Sequence, residues 1–465
     1  MKKIIFATLL LTTALTFSGI AQQYQPTWES IDSRPIPQWW QDAKFGIFVH
    51  WGVFSVPAWG ATNRDIDGNS KDPFISVYGK YAEWYWRRLT DENDKVHAYF
   101  KAHHDKTYGA NFKYQDFAPM FKAENFEPDN WADIFANAGA KYVVLTSKHH
   151  EGFTLWPSAQ SWNWNSVDIG PHRDLAGDLS KAVKKKGLHM GYYYSLYEWF
   201  NPEYLHNFTK YRDMHMIPQM KDLITRYEPE ILWIDGEWEH TSDEWKSKEF
   251  LAWLYNDSPV KNNVVVNDRW GSDSRTKHGG FLTTEYEIEK LNIERPWEEN
   301  RGIGGSFGYN AAENLEDYST AQQLINLLIE KVSNGGNLLL NVGPTADGRI
   351  PVIMQQRLKE IGDWLKVNGE AIYETRKWGN KPATLNMPGV FFTEKAKALY
   401  VITNIWPEKP LVIPGITAGG KVSLLGSNVQ INVKKSGNNL IIEPPSIFSA
   451  QMPCKHVWVF KIEKL

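Results

Sequence analysis

Cysteine is almost absent from this chain of 465 residues, because Cys454 is the only one. No intramolecular disulfide can form, and a chain of this length can fold on its hydrophobic core alone. An excess of either charge is also absent, since 51 basic and 54 acidic residues leave a formal net charge of -3. A near-neutral chain lacks the basic surface that binds polyanions, so we expect no nucleic-acid partner.

Long apolar runs are missing from the chain beyond its N-terminus, so the sequence predicts no membrane span. The N-terminus carries Lys2 and Lys3, an apolar run from Ile4 to Leu15 and the small residues Gly19-Ile20-Ala21. This order is typical of a secretory signal peptide. We expect residues 1–21 to be a cleaved signal peptide and the mature protein to be exported, with the Gram-negative periplasm as its location.

Aromatic residues are abundant, with 22 Trp, 21 Tyr and 22 Phe. Flat aromatic faces pack against sugar rings, although large hydrophobic cores use the same residues. The composition is therefore compatible with a carbohydrate ligand, but an aromatic-rich core is favoured as its explanation.

Short apolar runs alternate with helical patterns over the first 375 residues. Near-continuous apolar runs are typical of strands buried on both faces of a parallel sheet, and repeated strand and helix units predict a TIM barrel of the (β/α)8 type. The strand candidates are Phe45 to Val49, Tyr142 to Thr146, His189 to Tyr194, Ile231 to Ile234, Val264 to Val266 and Leu338 to Val342.

The pattern changes near Thr375, after which short strands alternate with turns to the end of the chain. Short strands between turns predict an antiparallel β-sandwich. We therefore expect a catalytic barrel over residues 22–375 and a small C-terminal β-sandwich over residues 376–465. Packing against the barrel is favoured as the role of this second domain, over separate glycan binding.

Polar residues follow several of the apolar runs directly. In a parallel barrel these positions meet at the carboxyl-terminal rim, where active sites form. The rim candidates are His50-Trp51, Lys148-His149-His150-Glu151, Glu198-Trp199, Asp235-Gly236 and Asn267-Asp268-Arg269-Trp270.

Each rim candidate also has a structural interpretation. Asp235 alone is equally well explained as a helix N-cap. His149 and His150 could ligate a metal, but neighbouring residues on a strand point to opposite faces and no second ligand cluster follows, so we expect no metal. The glycine-rich segment Gly302 to Gly308 lacks dinucleotide spacing and a following helix, so we expect no cofactor.

Carboxylates at the rim then favour acid-base or covalent carboxylate catalysis, as in glycoside hydrolysis. The partner of Asp235 is expected on a later rim loop. Phe281 to Glu287 and Trp297-Glu298-Glu299 both supply candidates, and their spacing does not decide between them.

Several longer segments together resemble the α-L-fucosidases of glycoside hydrolase family 29, over essentially the whole mature chain. Leu254 to Gly271 is similar to the animal lysosomal branch, and Asn368 to Tyr373 extends the resemblance to the end of the barrel. The segments that carry it are Phe45 to Gly52, Thr146 to Phe153, Asp174 to Leu179, Leu232 to Gly236, Asn267 to Gly271, Arg301 to Asn310 and Gly335 to Pro344.

The resemblance implies an exo-acting, retaining α-L-fucosidase with a covalent fucosyl-aspartate intermediate. Asp235 matches the nucleophile that follows the fourth barrel strand of the family. Glu285 in Phe281 to Tyr286 matches the general acid/base of bacterial members, with Glu298 as the second choice and Glu287 as the third. The animal branch has a Cys soon after its Trp-Glu, whereas Glu299-Asn300 follow Trp297-Glu298 here, so the match is weakest around this loop.

The resemblance also implies the sugar-binding residues and the substrates, which are fucosylated glycans or glycoconjugates. A wall such as Phe307 would cover the C5 methyl group of fucose and disfavour the extra hydroxyl of galactose. The matching positions are His50, Glu83, Trp84, His149, His150, Tyr193, Arg269 and Phe307.

Two alternative functions stay open at this point: another retaining glycosidase on the same barrel, and a non-catalytic fucose-binding protein. Tryptophans within the rim segments are also expected to line one deep pocket. These are Trp51, Trp84, Trp233, Trp270 and Trp297.

Overall fold

The structure is a computed structural model that describes residues 23–286, 295–382, 385–416 and 419–464. Eight strands form its first and largest sheet. In chain order they are β1 (Phe45–Val49), β2 (Tyr142–Lys148), β3 (His189–Ser195), β4 (Ile231–Asp235), β5 (Val265–Val266), β6 (Leu282–Glu285), β7 (Trp297–Gly302) and β8 (Asn337–Val342).

Every neighbouring pair in this sheet is parallel, in the spatial order β5-β4-β3-β2-β1-β8-β7-β6. The outermost strands β5 and β6 are joined by a parallel bridge between Asn267 and Phe281, which closes the sheet into a barrel. Closure brings the carboxyl ends of all eight strands to one rim. The predicted barrel is confirmed.

Strands β6 and β7 are missing from the predicted set, whereas the other six coincide with predicted apolar runs. Both strands are polar in sequence, Leu-Thr-Thr-Glu and Trp-Glu-Glu-Asn-Arg-Gly. Most of their polar side chains are nevertheless buried, because they form hydrogen bonds to one another and to other residues of the barrel. Thr284, for example, donates its hydroxyl hydrogen to Glu299. A search for apolar runs cannot find strands of this kind.

Helices connect the strands, and their apolar faces pack inward. Helix α7 begins after Asp174, whose carboxylate accepts a hydrogen bond from the Gly177 backbone at 2.9 Å, and it buries Leu175, Leu179 and Val183 at four-residue spacing. In the part of the chain described, no helix is both long and apolar enough to cross a bilayer. The helices are α1 (Trp28–Asp32), α2 (Gln38–Ala43), α3 (Pro73–Ser76), α4 (Tyr85–Thr90), α5 (His97–Thr107), α6 (Pro128–Asn137), α7 (Leu175–Lys185), α8 (Pro202–His206), α9 (Phe208–Lys210), α10 (Ile217–Tyr227), α11 (Ser247–Asn256), α12 (Ala321–Ser333) and α13 (Val352–Asn368).

The remaining strands form two antiparallel sheets, ordered β13-β16-β11-β10-β9 and β12-β15-β14. Apolar side chains from both sheets, such as Val401 and Phe460 from one and Ile413 and Ile442 from the other, share a separate core. Two sheets that face each other across such a core form the predicted sandwich. The strands are β9 (Arg376–Lys377), β10 (Val390–Lys395), β11 (Ala398–Thr403), β12 (Leu411–Pro414), β13 (Gly419–Leu424), β14 (Asn432–Ser436), β15 (Asn439–Glu443) and β16 (Trp458–Lys464).

The larger sheet of the sandwich is buried on its other face as well. Tyr400, Ile402 and Val459 on that face belong to the hydrophobic core of the barrel. Trp364 of α13 donates its indole N–H to the Val457 carbonyl at 3.0 Å. The sandwich therefore covers apolar surface of the barrel helices, while the boundary between residues 375 and 376 stays a prediction.

Replacing the buried Trp364 by alanine should lower the free energy of unfolding by about 3 to 5 kcal/mol, because a large cavity opens between the sandwich and α13. Urea denaturation of the full chain measures the change. Trp162, which is 79% exposed, is the matched control, and its alanine variant should stay within about 0.5 kcal/mol of the wild type. Equal losses in the two variants would contradict the packing role.

Candidate active site

A cavity of about 390 Å³ lies at the carboxyl-terminal rim of the barrel. All ten residues proposed for the site line it, although they come from distant parts of the sequence. They are His50, Glu83, Trp84, His149, His150, Tyr193, Asp235, Arg269, Glu285 and Phe307.

Asp235 is the last residue of β4, and its carboxylate is held by two donors. Arg269 donates from Nη1 to Oδ1 at 2.7 Å, and the Tyr193 hydroxyl donates to Oδ2 at 2.9 Å. Burial alone would raise the pKa of Asp235, but the Arg269 guanidinium beside it holds that pKa well below its usual range. No helix begins at Asp235, so the N-cap interpretation is wrong, and the carboxylate is ionised at neutral pH.

Glu285 is the last residue of β6, next to the same arginine. Its Oε1 accepts a hydrogen bond from the Tyr81 hydroxyl at 2.7 Å, and its Oε2 lies 3.6 Å from Nη2 of Arg269. Burial raises the pKa of Glu285, and the negative charge of Asp235 raises it further. The pKa values of the two carboxyl groups are therefore shifted in opposite directions although they share one guanidinium.

Arg269 is fixed independently of either carboxylate. Its Nε donates to the Thr283 hydroxyl at 3.0 Å, and its guanidinium lies 4.6 Å from the Trp233 ring centroid. Because Nη1 faces Asp235 and Nη2 faces Glu285, the length of one guanidinium limits how far apart the two carboxylates lie. Retaining glycosidases need a separation of about 5 to 5.5 Å.

Glu298, the second choice for the acid/base, does not lie on a rim loop, so that expectation is wrong. It is the second residue of β7 and accepts hydrogen bonds from Tyr142 at 2.5 Å and from Trp233 at 3.0 Å, in the barrel interior. Burial raises the pKa of Glu298 to about 7. It does not line the cavity. Glu287, the third choice, lies outside the described residues.

The histidine doublet reaches the cavity with both rings. His149 and His150 follow the end of β2, where the alternation of a strand no longer applies, and their ring centroids are 4.1 Å apart. His50 follows β1 and stacks on Phe307 at 4.9 Å. The doublet thus faces the same space as Asp235 and Glu285.

The glycine-rich segment Gly302 to Gly308 holds carboxylates of the protein itself. The backbone N–H groups of Gly305 and Ser306 donate to Glu313 at 2.6 and 3.1 Å. On its other side, the Ser306 hydroxyl and the Gly308 N–H donate to Glu83 at 3.2 and 2.8 Å. The segment therefore anchors Glu83 in the cavity, and its glycines let the backbone approach.

Only part of the expectation for the tryptophans is correct. Trp84 and Trp233 line the cavity, as does Trp238, which the sequence did not single out. The other three, Trp51, Trp270 and Trp297, are buried and do not line it. Trp51 and Trp270 directly follow His50 and Arg269, and Trp297 directly precedes Glu298. At each of these positions the residue next to the tryptophan points into the barrel or the cavity. The tryptophan side chain points the other way and packs elsewhere in the core.

Tyr81 and Arg275 also line the cavity and were missed, because neither follows an apolar run. The only signal for Tyr81 is the density of aromatic residues between Tyr78 and Trp86. Together the lining residues supply a carboxylate with a lowered pKa, a carboxyl group with a raised pKa and many hydrogen-bonding partners for hydroxyl groups. That set suits the cleavage of a glycosidic bond.

Comparisons with known proteins agree with this chemistry. The sequence model of the alpha-L-fucosidase family matches residues 12–370, and that of the alpha-L-fucosidase C-terminal domain matches residues 384–463. An alpha-L-fucosidase of Dictyostelium discoideum is 48% identical, with 99% of both sequences covered. The tissue alpha-L-fucosidase of Homo sapiens is 42% identical, with 95% of this chain and 92% of the human protein covered.

Solved structures agree with the sequence matches. Thermotoga maritima alpha-fucosidase in complex with fucose aligns with a TM-score of 0.77 at 37% identity, covering 94% of this chain and all of the other. Fold, both sequence regions and cavity chemistry thus lead to one assignment: the chain belongs to the alpha-L-fucosidase family.

Proposed function

We propose that this protein is an exo-acting α-L-fucosidase that releases terminal α-L-fucosyl residues from glycans with retention of configuration. The observation that carries the mechanism is the carboxylate pair at Arg269. Asp235 bonds to the guanidinium and is ionised, whereas the buried Glu285 has a raised pKa. A retaining hydrolysis starts from a carboxylate and a carboxylic acid of this kind.

In the first step, Asp235 attacks the anomeric carbon from the β face while Glu285 donates its proton to the leaving glycosidic oxygen. The carbon–oxygen bond to the leaving sugar breaks, and an ester bond to Asp235 forms. Esterification removes the charge of Asp235, which lowers the pKa of Glu285. Glu285 is then ionised and takes a proton from water, which attacks from the α face and restores Asp235.

Sugar recognition is assigned to the residues around the pair. Histidine rings and the anchored Glu83 bind ring hydroxyls, and the buried Phe307 covers the C5 methyl group of fucose. Galactose would have to bury an additional hydroxyl against this wall. This favours fucose over galactose and disfavours another retaining glycosidase. The complete carboxylate pair disfavours a binding protein without catalysis.

Removing each carboxylate should give opposite azide products. Asp235→Gly should lose at least about 10⁴-fold in kcat. Azide should then displace an activated leaving group directly from the β face to give β-L-fucosyl azide. Glu285→Ala still forms the β-linked ester, so azide should attack from the α face and give α-L-fucosyl azide. NMR of the products distinguishes the two anomers.

Glu298→Ala is the control for this experiment. It removes a carboxylate inside the barrel that accepts from Tyr142 and Trp233. We expect lower thermal stability and no azide product. Azide rescue of Glu298→Ala beside an unrescued Glu285→Ala would reject the proposed acid/base.

The pH dependence of kcat/KM should report on Glu285. The active form is protonated, so activity should be lost as pH rises through the raised pKa of Glu285. The wild type should show this basic limb with an aryl α-L-fucoside and lose it with α-L-fucosyl fluoride, because fluoride leaves without a proton. Glu285→Ala should lack the limb with both substrates. Burial also raises the pKa of nearby Glu237 to about 7. Glu237→Gln is therefore the matched control, and loss of the limb in this variant alone would contradict the role of Glu285.

Export to the periplasm is proposed from the first 21 residues, whose basic start, apolar run and Gly19-Ile20-Ala21 support a signal peptide. These residues lie outside the described part of the chain. Expression in a Gram-negative host should yield a periplasmic protein that begins at Gln22, as read by N-terminal sequencing. A full-length protein retained in the cytoplasm would refute this proposal.

A further inference from the structure

Three imidazole rings face the cavity, and each turns its Nδ1 toward an atom of the protein. Nδ1 of His50 lies 2.6 Å from the Asn341 side-chain oxygen, and Nδ1 of His150 lies 2.6 Å from the Ser195 hydroxyl. Nδ1 of His149 lies 3.4 Å from Glu151 Oε2. Because Nδ1 of each ring faces the protein, the other ring nitrogen, Nε2, faces the cavity.

The proton of His50 is placed by the amide of Asn341. That amide donates from Nδ2 to the Phe307 carbonyl at 2.7 Å, so the atom facing His50 is its oxygen. An amide oxygen can only accept a hydrogen bond. Nδ1 of His50 therefore carries a proton.

The proton of His150 is placed by Ser195 in the same way. The single hydroxyl hydrogen of Ser195 is donated to the Tyr197 carbonyl at 2.7 Å. The Ser195 oxygen must then accept from His150, so Nδ1 of His150 carries a proton.

Both rings are neutral. Burial lowers the pKa of His50 to about 3 and that of His150 well below its usual value. His149 lowers both further, while Asp235 opposes the shift in both and Lys148 adds to it for His150. A neutral imidazole with its proton on Nδ1 has a lone pair on Nε2.

We propose that His50 and His150 recognise sugar hydroxyls only as hydrogen-bond acceptors, and that Asn341 and Ser195 are the positioning residues that impose this polarity. The inference rests on the proposed fucosidase function. If both histidines only accept, the direction in which each sugar hydroxyl points its hydrogen helps to determine which sugars bind.

The position of the His150 proton also affects the proposed nucleophile, Asp235. Nε2 of His150 lies 3.7 Å from Asp235 Oδ2 and 3.5 Å from the Tyr193 hydroxyl, whose hydrogen is donated to the same Asp235 oxygen. With a lone pair on Nε2, His150 cannot donate to Asp235. Ser195 therefore keeps an N–H of the histidine from engaging the carboxylate.

Deoxyfluoro sugars test the polarity, because carbon-bound fluorine accepts hydrogen bonds weakly and donates none. Dissociation constants of L-fucose and of its 2-, 3- and 4-deoxy and deoxyfluoro analogues would be measured by titration calorimetry with the wild type. Where a hydroxyl donates to a histidine, both replacements should weaken binding by about tenfold or more, and to similar extents. Fluoro analogues that bind within threefold of fucose at all three positions would overturn the proposal.

Ser195→Ala tests the positioning role. Without its acceptor, His150 can move the proton to Nε2 and donate instead. At one ring position the tenfold preference for hydroxyl over fluorine should fall below threefold, with fucose itself binding more weakly. Ser147→Ala is the control, since Ser147 is equally buried and donates to the Tyr193 carbonyl at 2.7 Å. It should keep the wild-type preference.

Other outcomes separate this inference from the function on which it rests. If Ser195→Ala weakens all analogues by one factor and keeps the preference, Ser195 is merely structural and its assigned role is wrong. If the wild type hydrolyses aryl α-L-fucosides while fluorine restores binding everywhere, only this inference fails. If the wild type neither binds fucose nor hydrolyses fucosides, the proposed function fails and this inference falls with it.

Discussion

The active site depends on the guanidinium of Arg269, which lies between the buried carboxyl group of Asp235 and the partly buried one of Glu285. Burial disfavours the ionised forms of Asp235 and Glu285. The Arg269 cation lies close to both and offsets this cost more for Asp235 than for Glu285. The difference follows from where the three residues lie in the barrel. Arg269 follows β5, whereas Asp235 ends β4 and Glu285 ends β6. The three meet only because the bridge between Asn267 and Phe281 closes the sheet, so the contact that closes the barrel also places both carboxyl groups beside one guanidinium.

The sequence predicted the barrel well because most of its strands are apolar on both faces. It missed β6 and β7, whose Glu298 and Glu299 are buried through hydrogen bonds that no local pattern reveals. Asp235, His50, His149, His150 and Arg269 were found because they follow apolar runs, and the family resemblance added residues such as Glu83, Trp84 and Phe307. Spacing did not separate Glu285 from Glu298, and the resemblance ranked Glu285 first. The two lie at different depths of the barrel, and depth depends on strand register.

Around the residues that line the cavity lies a set of polar groups that hold them. The segment Gly302 to Gly308 binds Glu83, and Asn341 and Ser195 set the protons of His50 and His150. Such groups are invisible to motif analysis because their function is the direction of one hydrogen bond. They also pair polar groups that are buried around the cavity, where an unpaired group would carry a desolvation cost.

The sandwich covers apolar surface of the barrel helices, and β16 lies between β13 and β11 in its larger sheet. Because β16 pairs with both neighbours, it holds β13 in that sheet. Val459 of this strand also belongs to the core of the barrel, together with Trp364 and Tyr400. A substitution that displaces β16 would therefore open apolar surface of the barrel to water, and exposed surface of this kind promotes aggregation.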